Sequence, residues 1–339
     1  MQKEITLSMG NGGEENSELI SRVFFKYFKN DILERAEDAA IVEVGVKEES
    51  GKGVKVAMST DSFTISPLFF NGGDIGKLSI CGTCNDLAMM GAKPKYLNIG
   101  IIIEEGFKVR ELEKIAKSIK KELEVNGAII VSGDTKVMPK GSIDKLIINI
   151  SGVGEPLVDG ISANNLDEDC SILISGDIGR HGATIFSARE GIDIYSELQS
   201  DCKSLFPIVQ KLISANINIK AMRDATRGGV ASTLNEWAKQ SDVCIELQEE
   251  QIPISDEVKG ICELLGFEAT SLANEGTFCL AVSKSDEEKA LQILKKYNQN
   301  AAIIGSVSKE YPKRVILKSS YGTRRFLDMP TGELLPRIC

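Results

Sequence analysis

Short apolar runs of strand length alternate with apolar residues at helical spacing, and this alternation restricts the fold more than any other feature. In the first half, residues 54–58, 128–131 and 146–150 have the length and composition of strands. Between the first two, apolar side chains recur at helical spacing from Leu112 to Leu123, and Gly127 follows as a stop signal. The pattern predicts an α/β layer structure.

The alternation resumes in the second half, beyond a turn-rich stretch at 152–165 that predicts a hinge. The predicted strands there are 171–174, 243–247 and 277–282, and the predicted helices are one from Ala183 and others at 205–215, 229–239 and 287–296.

A length of 339 residues exceeds what one hydrophobic core usually supports. We therefore predict two α/β domains, 1–155 and 156–320, and a flexible tail, 321–339.

Composition limits the partners. The formal net charge is −9, and lysine and arginine do not cluster in runs longer than three. This argues against a non-specific grip on nucleic acid or on an anionic membrane. The N-terminus lacks a signal-peptide core and apolar runs stay well short of a membrane span, so we expect a cytoplasmic protein.

Eight cysteines without framework spacing predict mostly buried thiols in a reducing compartment. Cys81 and Cys84 form a CxxC pair, for which redox or metal chemistry is the less favoured alternative. The single histidine, His181, lies between glycines in a predicted turn, and we favour a positional role for it over catalysis.

The last residue, Cys339, is an unusual place for a structural cysteine. A fully extended stretch from 321 to 339 can reach roughly 60 Å. Its thiol could therefore visit one surface and then another, although a terminus that merely happens to end in cysteine is the simpler alternative.

Glycine-rich and acidic clusters fall near predicted strand ends. Gly10, Gly12 and Gly13 precede a helix, so their backbone N–H groups could fold over an anion, although a flexible N-terminus is an equal alternative. Asp61 and Asp134 follow predicted strands. Asp86 lies in a helical segment.

Carboxylates that converge in this way offer hard oxygen ligands to Mg²⁺, although any one of them could cap a helix or a turn. Lys136, two residues beyond Asp134, could neutralise charge on a phosphoryl group.

The second domain adds a further polar set. Asp224 and Arg227 lie in a glycine-rich stretch before a predicted helix, and Asn274 and Glu275 stand just before the strand at 277–282. We expect both groups to face the first-domain cluster across an interdomain cleft, although a turn or capping role for Glu275 remains open.

Several collinear segments resemble one family over almost the full chain. They are STDSFTISPLFFNGGDIGKLSICGTCNDLAMMGA, SGDTKVM, HGATIFSAREG, RDATRGGV, ANEG and the terminal PRIC. These resemble the HypE family of hydrogenase expression/formation proteins, in the ATP-binding superfamily of aminoimidazole ribonucleotide synthetase and selenophosphate synthetase. The resemblance implies a two-domain α/β (α+β) fold whose N-terminal ATP-binding domain dimerises through its sheets, with a mobile C-terminal tail.

The resemblance also implies an activity. In that family the terminal cysteine is carbamoylated by a partner carbamoyltransferase, HypF, and ATP-dependent dehydration converts the carboxamide to a thiocyanate. The cyano group then passes to iron on the HypC–HypD complex, for the [NiFe]-hydrogenase centre. Cys339 would then be the carrier thiol and Glu275 the candidate base.

The remaining roles follow from the same resemblance. Asp61, Asp86 and Asp224 would handle Mg²⁺ and phosphates. The nucleotide and the reacting amide would be contacted by Gly10, Gly12, Gly13, Asp134, Thr135, Lys136, Arg227 and Asn274.

One departure and two alternatives remain. Met9 stands where the family commonly has a histidine before the glycine loop, which removes any loop histidine chemistry. A selenophosphate synthetase-like enzyme would need a reactive cysteine and a lysine near the N-terminus, where only Lys3 is present. A non-catalytic thiol carrier, with nucleotide as a docking switch, is the other alternative.

Overall fold

The computed structural model describes residues 4–10, 12–45, 53–191 and 198–332. The N-terminal part contains α1 (Glu14–Leu19), α2 (Phe25–Phe28), β1 (Ala40–Val44), β2 (Val54–Phe63), β3 (Phe69–Phe70), β4 (Gly73–Asp74), α3 (Ile75–Met89), β5 (Ala92–Glu104), α4 (Val109–Asn126), β6 (Ile129–Met138) and β7 (Leu146–Pro156).

One sheet organises this part. Its strand order is β1-β2-β7-β5-β6, with β5 and β6 parallel and the other pairs antiparallel. Helix α3 packs on β2, β7 and β5, and α4 packs on α3. Gly127 ends α4 in the left-handed conformation, which confirms the predicted stop signal.

The two faces of this sheet differ. On β7 the side chains of Leu146, Ile148 and Ile150 are buried beneath the helices, with less buried side chains between them. The other face, here called the open face, is not covered by the helices. Its exposed apolar side chains are Val44, Val54, Met58, Tyr96 and Ile129.

Helices and strands also alternate along the second domain. It contains β8 (Cys170–Ile174), α5 (Arg180–Glu190), α6 (Phe206–Ser214), β9 (Ile219–Asp224), α7 (Gly229–Gln240), β10 (Cys244–Gln248), α8 (Asp256–Leu265), β11 (Phe278–Ser283), α9 (Glu287–Lys295), β12 (Ala302–Ser308), β13 (Arg314–Lys318) and β14 (Arg324–Phe326).

The strands of this domain form one sheet in the order β14-β13-β10-β12-β8-β11-β9. Every residue of β8 and β11 is buried, which is why both read as continuous apolar runs in the sequence. The predicted α/β class is confirmed. None of the helices in the described ranges is long and apolar enough to cross a membrane.

The predicted hinge at 152–165 begins too early. Gly152, Gly154 and Pro156 belong to β7. A Cβ on Gly152 would lie 3.0 Å from side-chain atoms of both Leu87 and Leu97, so this glycine serves close packing and not a turn.

The predicted tail is folded over much of its length. Strand β14 pairs antiparallel with β13, and Leu327 is buried, with its carbonyl accepting from Asn235 Nδ2 at 2.8 Å. The backbone N–H of Gly332 donates to Glu15 Oε1 at 3.1 Å. Free motion from residue 321 onwards is therefore wrong for 324–332. Cys339 itself lies outside the described residues.

Candidate active site

A cavity of about 340 Å³ lies between the two domains. We call it the cleft. Acidic side chains of both domains and two arginines of the second domain line it, together with the glycine-containing segment before α1. Its polar lining includes Gly12, Asn16, Asp38, Asp61, Asp86, Arg223, Asp224, Arg227, Glu236 and Glu275.

Three predicted carboxylates meet in the cleft. Asp61 lies within β2, on the face that packs against α3, and Asp86 lies on α3 itself. Asp86 Oδ2 accepts from Ser59 Oγ at 2.6 Å, and Asp224 ends β9. The prediction that Asp61 follows its strand is wrong, because β2 continues to Phe63. Asp61 and Asp86 lie near each other because the face of β2 that carries Asp61 packs against α3, which carries Asp86.

Sequence reasoning missed a fourth carboxylate, Asp38, just before β1. Its side chain is only 12% exposed and forms an ion pair at 2.7 Å with Arg223, which also binds Glu236. Glu37 and Asp38 stand just before the apolar strand β1, but nothing local in the sequence shows that Asp38 pairs with Arg223. We call Asp38, Asp61, Asp86 and Asp224 the acid cluster.

Burial, with crowding of carboxylates, raises the pKa values of Asp38, Asp86 and Asp224. Burial raises the pKa of Asp86 well above its usual range, and repulsion from Asp61 and Asp224 adds to this. The pKa of Asp224 is raised for the same reasons. Burial raises the pKa of Asp38 to about 7, although Arg223 opposes the shift.

The acid cluster fits a divalent cation by its chemistry. Within the described part of the chain, Asp38 Oδ2 and Asp224 Oδ2 are buried without a hydrogen-bond partner. Hard oxygen donors with unfilled acceptor positions suit Mg²⁺. No group of three acidic, cysteine or histidine side chains in the described ranges is already arranged as a metal site, so the fit rests on the chemistry of these oxygen donors.

The crowding predicts how stability depends on pH without metal. The unfolded carboxyls titrate near pH 4, and the folded pKa values of Asp38, Asp86 and Asp224 lie higher. The folded state therefore binds more protons in this window, and the free energy of unfolding falls as pH rises. In EDTA we expect a Tm about 5 °C lower at about pH 8 than at about pH 5.5. A Tm that rises over this interval would contradict the crowding argument.

Glu275 lies at the second-domain wall of the cleft and is 2% exposed. Its Oε1 is buried without a hydrogen-bond partner among the described residues. Burial raises the pKa of Glu275 well above its usual range, repulsion from Asp224 and Asp201 adds to this, and Arg227 opposes it. A carboxyl whose pKa is raised in this way binds a proton more tightly than an exposed glutamate does, as a general base requires.

Asn274 has a structural role. Its side chain is fully buried, its Oδ1 accepts from the N–H of Gly179 at 2.7 Å, and its Nδ2 donates to the carbonyls of Ala225 and Leu272. Both ends of the amide are engaged within the protein. The structure thus does not support the prediction that Asn274 contacts nucleotide.

The glycine segment reaches the cleft through Gly12. This residue has φ 76°, and a Cβ there would lie 2.7 Å from Arg227 Cβ. Its carbonyl accepts from Ser232 Oγ at 3.1 Å. Gly10 and Gly13 do not line the cleft. Met9, in place of the usual histidine, is buried.

Asp134, Thr135 and Lys136 are not brought into the cleft of their own chain. They lie within β6, not after a strand as predicted, and two strands separate β6 from β2, a span of about 14 Å. The register places Asp134 and Lys136 on the open face, where they are 74% and 68% exposed and lie 3.9 Å apart.

The remaining predictions concern thiols and the histidine. The seven cysteines that the structure describes are buried free thiols, including Cys81 and Cys84. His181 is fully buried in α5, with Nδ1 2.7 Å from Ser200 Oγ and its ring edge against Phe70. The prediction of buried thiols is confirmed for these seven cysteines, whereas His181 lies in the first turn of α5 and not in the predicted turn between elements.

Comparisons with known proteins place both domains. The AIR synthase related protein, N-terminal domain, matches residues 36–155, and the AIR synthase related protein, C-terminal domain, matches 167–318. The chain is 42% identical to the carbamoyl dehydratase HypE of Escherichia coli (strain K12), over 99% of each chain.

Solved structures agree. A crystal structure of a HypE–HypF complex has a TM-score of 0.85 at 43% identity, covering 92% of this chain and 99% of that one. A HypE crystallised with ATP has a TM-score of 0.82 at 40% identity, covering 99% and 100%. On this identity, coverage and order of domains, the chain belongs to the HypE family of hydrogenase expression/formation proteins.

Proposed function

We propose that this protein is an ATP-dependent carbamoyl dehydratase of hydrogenase maturation, which converts the carbamoylated thiol of its own Cys339 to a thiocyanate. The observation that carries the proposal is Glu275, a buried carboxyl with an unpaired oxygen and a raised pKa, facing an acidic interdomain cleft. The name of the Escherichia coli relative supports the same activity.

The chemistry explains why ATP and a base are both required. The carboxamide oxygen is a poor leaving group until it attacks the γ-phosphorus of ATP and ADP departs. The phosphorylated oxygen then leaves as phosphate while the nitrogen loses two protons and the C≡N bond forms. Glu275 would accept one of these protons and the departing phosphate the other, while the guanidinium of Arg227 would complement phosphoryl charge in the same cleft.

We propose the acid cluster as the Mg²⁺ site. Asp61, Asp86 and Asp224 would hold the ion, and Asp38 lies beside them. Bound Mg²⁺ would neutralise charge on the phosphates. Arg223 keeps Asp38 directed into this region through their ion pair. With the cation bound, the cluster would also orient the triphosphate towards Glu275.

A second chamber adjoins the cleft and suits the nucleotide base. It has a volume of about 430 Å³ and shares Asp38, Asp61 and Asp86 with the cleft. Its apolar walls suit a flat heteroaromatic ring. They include Phe25, Ile32, Leu33, Met58 and Met90. The HypE crystallised with ATP supports nucleotide binding by this family.

A second copy of the chain completes the site in this proposal. The open face presents exposed apolar side chains, which favours sheet-to-sheet association. Asp134 and Lys136 stand on that face, with Thr135 between them. In a homodimer Asp134 and Lys136 would reach the partner's nucleotide, where Lys136 would stabilise phosphoryl charge, whereas Thr135 points to the other face of the sheet.

The carrier thiol must reach the cleft from the described end of the chain. Gly332 is held by Glu15, and the carbonyl of Pro330 accepts from the N–H of Glu14 at 3.4 Å, close to Gly12 at the cleft. Seven further residues to Cys339 can span up to about 24 Å. We propose that HypF loads the thiol and that the HypC–HypD complex receives the cyano group.

Mass spectrometry of the C-terminal peptide tests the function. After incubation with HypF, carbamoyl phosphate and ATP, we expect Cys339 to gain the mass of a carbamoyl group and then to lose the mass of one water. The second change should require ATP. A carboxamide that persists with ATP and Mg²⁺ would refute the dehydratase assignment, and no modification of Cys339 would refute the carrier assignment.

A further inference from the structure

Residues 200–205, here called the bridging segment, tie the two domains together beside the cleft. The N–H of Leu205 donates to Asn85 Oδ1 at 2.8 Å, and Asn85 Nδ2 donates to the carbonyl of Lys203 at 3.1 Å. Asn85 is the neighbour of Asp86 on α3. The bridging segment is therefore fixed to the helix that contributes to the acid cluster.

The same segment holds the backbone around Glu275. Asp201 Oδ1 accepts from the N–H of Glu275 at 3.1 Å, and Asp201 Oδ2 accepts from the N–H of Gly276 at 3.0 Å. The carbonyl of Glu275 accepts from the N–H of Lys203 at 3.3 Å. Both carboxylate oxygens of Asp201 are thus committed to the loop that presents Glu275.

The fit between these two loops is close. A Cβ on Gly276 would lie 1.8 Å from the carbonyl oxygen of Asp201. Because that oxygen belongs to the backbone, movement of side chains could not relieve the clash. Only glycine lets the 275–276 backbone approach Asp201 in this way.

We propose that Asp201 is a positioning residue for Glu275: its carboxylate fixes the 275–276 backbone so that the Glu275 side chain faces the cleft. This inference rests on the proposed role of Glu275 in dehydration. Because Asn85 fixes the same segment to α3, Asp201 also sets where Glu275 stands relative to Asp86. An error of about 1 Å in such a placement can cost about 100-fold in rate.

The Asp201→Asn variant tests the role, because its amide nitrogen faces an N–H donor and cannot accept from it. We expect the single-turnover rate of dehydration on carbamoylated protein to fall by about 10- to 100-fold. The Kd for ATP should stay within about twofold of the wild-type value, since Asp201 does not line the cleft.

Asp74→Ala, which removes a carboxylate that accepts from backbone N–H groups in the same way, is the control. Asp74 Oδ1 also accepts two backbone N–H groups, from Gly76 at 2.7 Å and Lys77 at 3.0 Å, but it caps α3 away from the cleft. It should lower the Tm without lowering the dehydration rate at a temperature where the protein is folded. An equal rate loss in both variants would overturn the proposal.

A double-mutant cycle separates positioning from general damage. In the Glu275→Gln background, Asp201→Asn should change the residual rate by less than about twofold, because the group it positions is absent. A full rate loss in that background would overturn the proposal. If the wild-type protein does not dehydrate at all, hydrogen exchange still tests whether Asp201 positions the 275–276 backbone. Faster exchange of the 275 and 276 amides in Asp201→Asn supports this role, and unchanged exchange refutes it.

Discussion

Replacing Glu275 with glutamine should leave a protein that accepts a carbamoyl group on Cys339 but removes water from it about a thousand times more slowly. Glutamine preserves the volume of the side chain and leaves the backbone hydrogen bonds to Asp201 and Lys203 unaffected, because these use main-chain atoms of Glu275. It cannot accept a proton from the carboxamide nitrogen. The carbamoylated peptide should therefore accumulate, as followed by mass spectrometry.

The pH dependence of the wild-type enzyme supplies a second measurement. A base with a raised pKa is protonated and inactive at low pH, so the dehydration rate should rise with pH through that pKa. The rise should disappear in Glu275→Gln. Glu310→Gln, which alters an exposed carboxylate paired with Arg324, is the control and should dehydrate at the wild-type rate. Dehydration at the wild-type rate in Glu275→Gln would show that Glu275 is not the base. Carbamoylation without dehydration in both the wild-type protein and the variant would instead favour a non-catalytic carrier.

The sequence predicted the parts of the site that rest on local patterns. Asp86 was placed on a helix because apolar residues around it have helical spacing. Asp224 precedes the predicted helix that forms α7, and Glu275 precedes the apolar run that forms the buried strand β11; both lie on the second-domain side of the cleft. At these positions the local pattern of apolar residues also marks where the helix or strand begins or ends. The sequence alone is therefore enough to predict where these side chains lie.

The parts that the sequence missed depend on contacts far along the chain. Strand β6 continues through the polar residues 132–136 because it pairs with β5 and one of its faces is not covered by the helices. Strand β14 is polar and exposed, and it forms only through pairing with β13. Asp38 becomes part of the site through Arg223, which lies 185 positions later in the printed sequence. No local pattern encodes these pairings.

Two inactive variants should restore activity to each other if the second copy supplies Lys136. The homodimers of Lys136→Ala and of Glu275→Gln should each be nearly inactive, because each lacks one group at every site. In a heterodimer purified through two different tags, one site combines the intact Glu275 of one chain with the intact Lys136 of the other. The other site lacks both. We therefore expect about half of the wild-type dehydration rate per dimer.

The control heterodimer combines Glu275→Gln with Asp224→Asn. Both side chains line the cleft of the same chain, so every site in this heterodimer contains one defect and no activity should return. If Lys136 acted on the cleft of its own chain, the first heterodimer would be equally inactive. That result is disfavoured by the structure, since β6 stands at the opposite edge of the sheet and Lys136 projects from the open face. A protein that purifies only as a monomer yet dehydrates at full rate would refute the two-chain site outright.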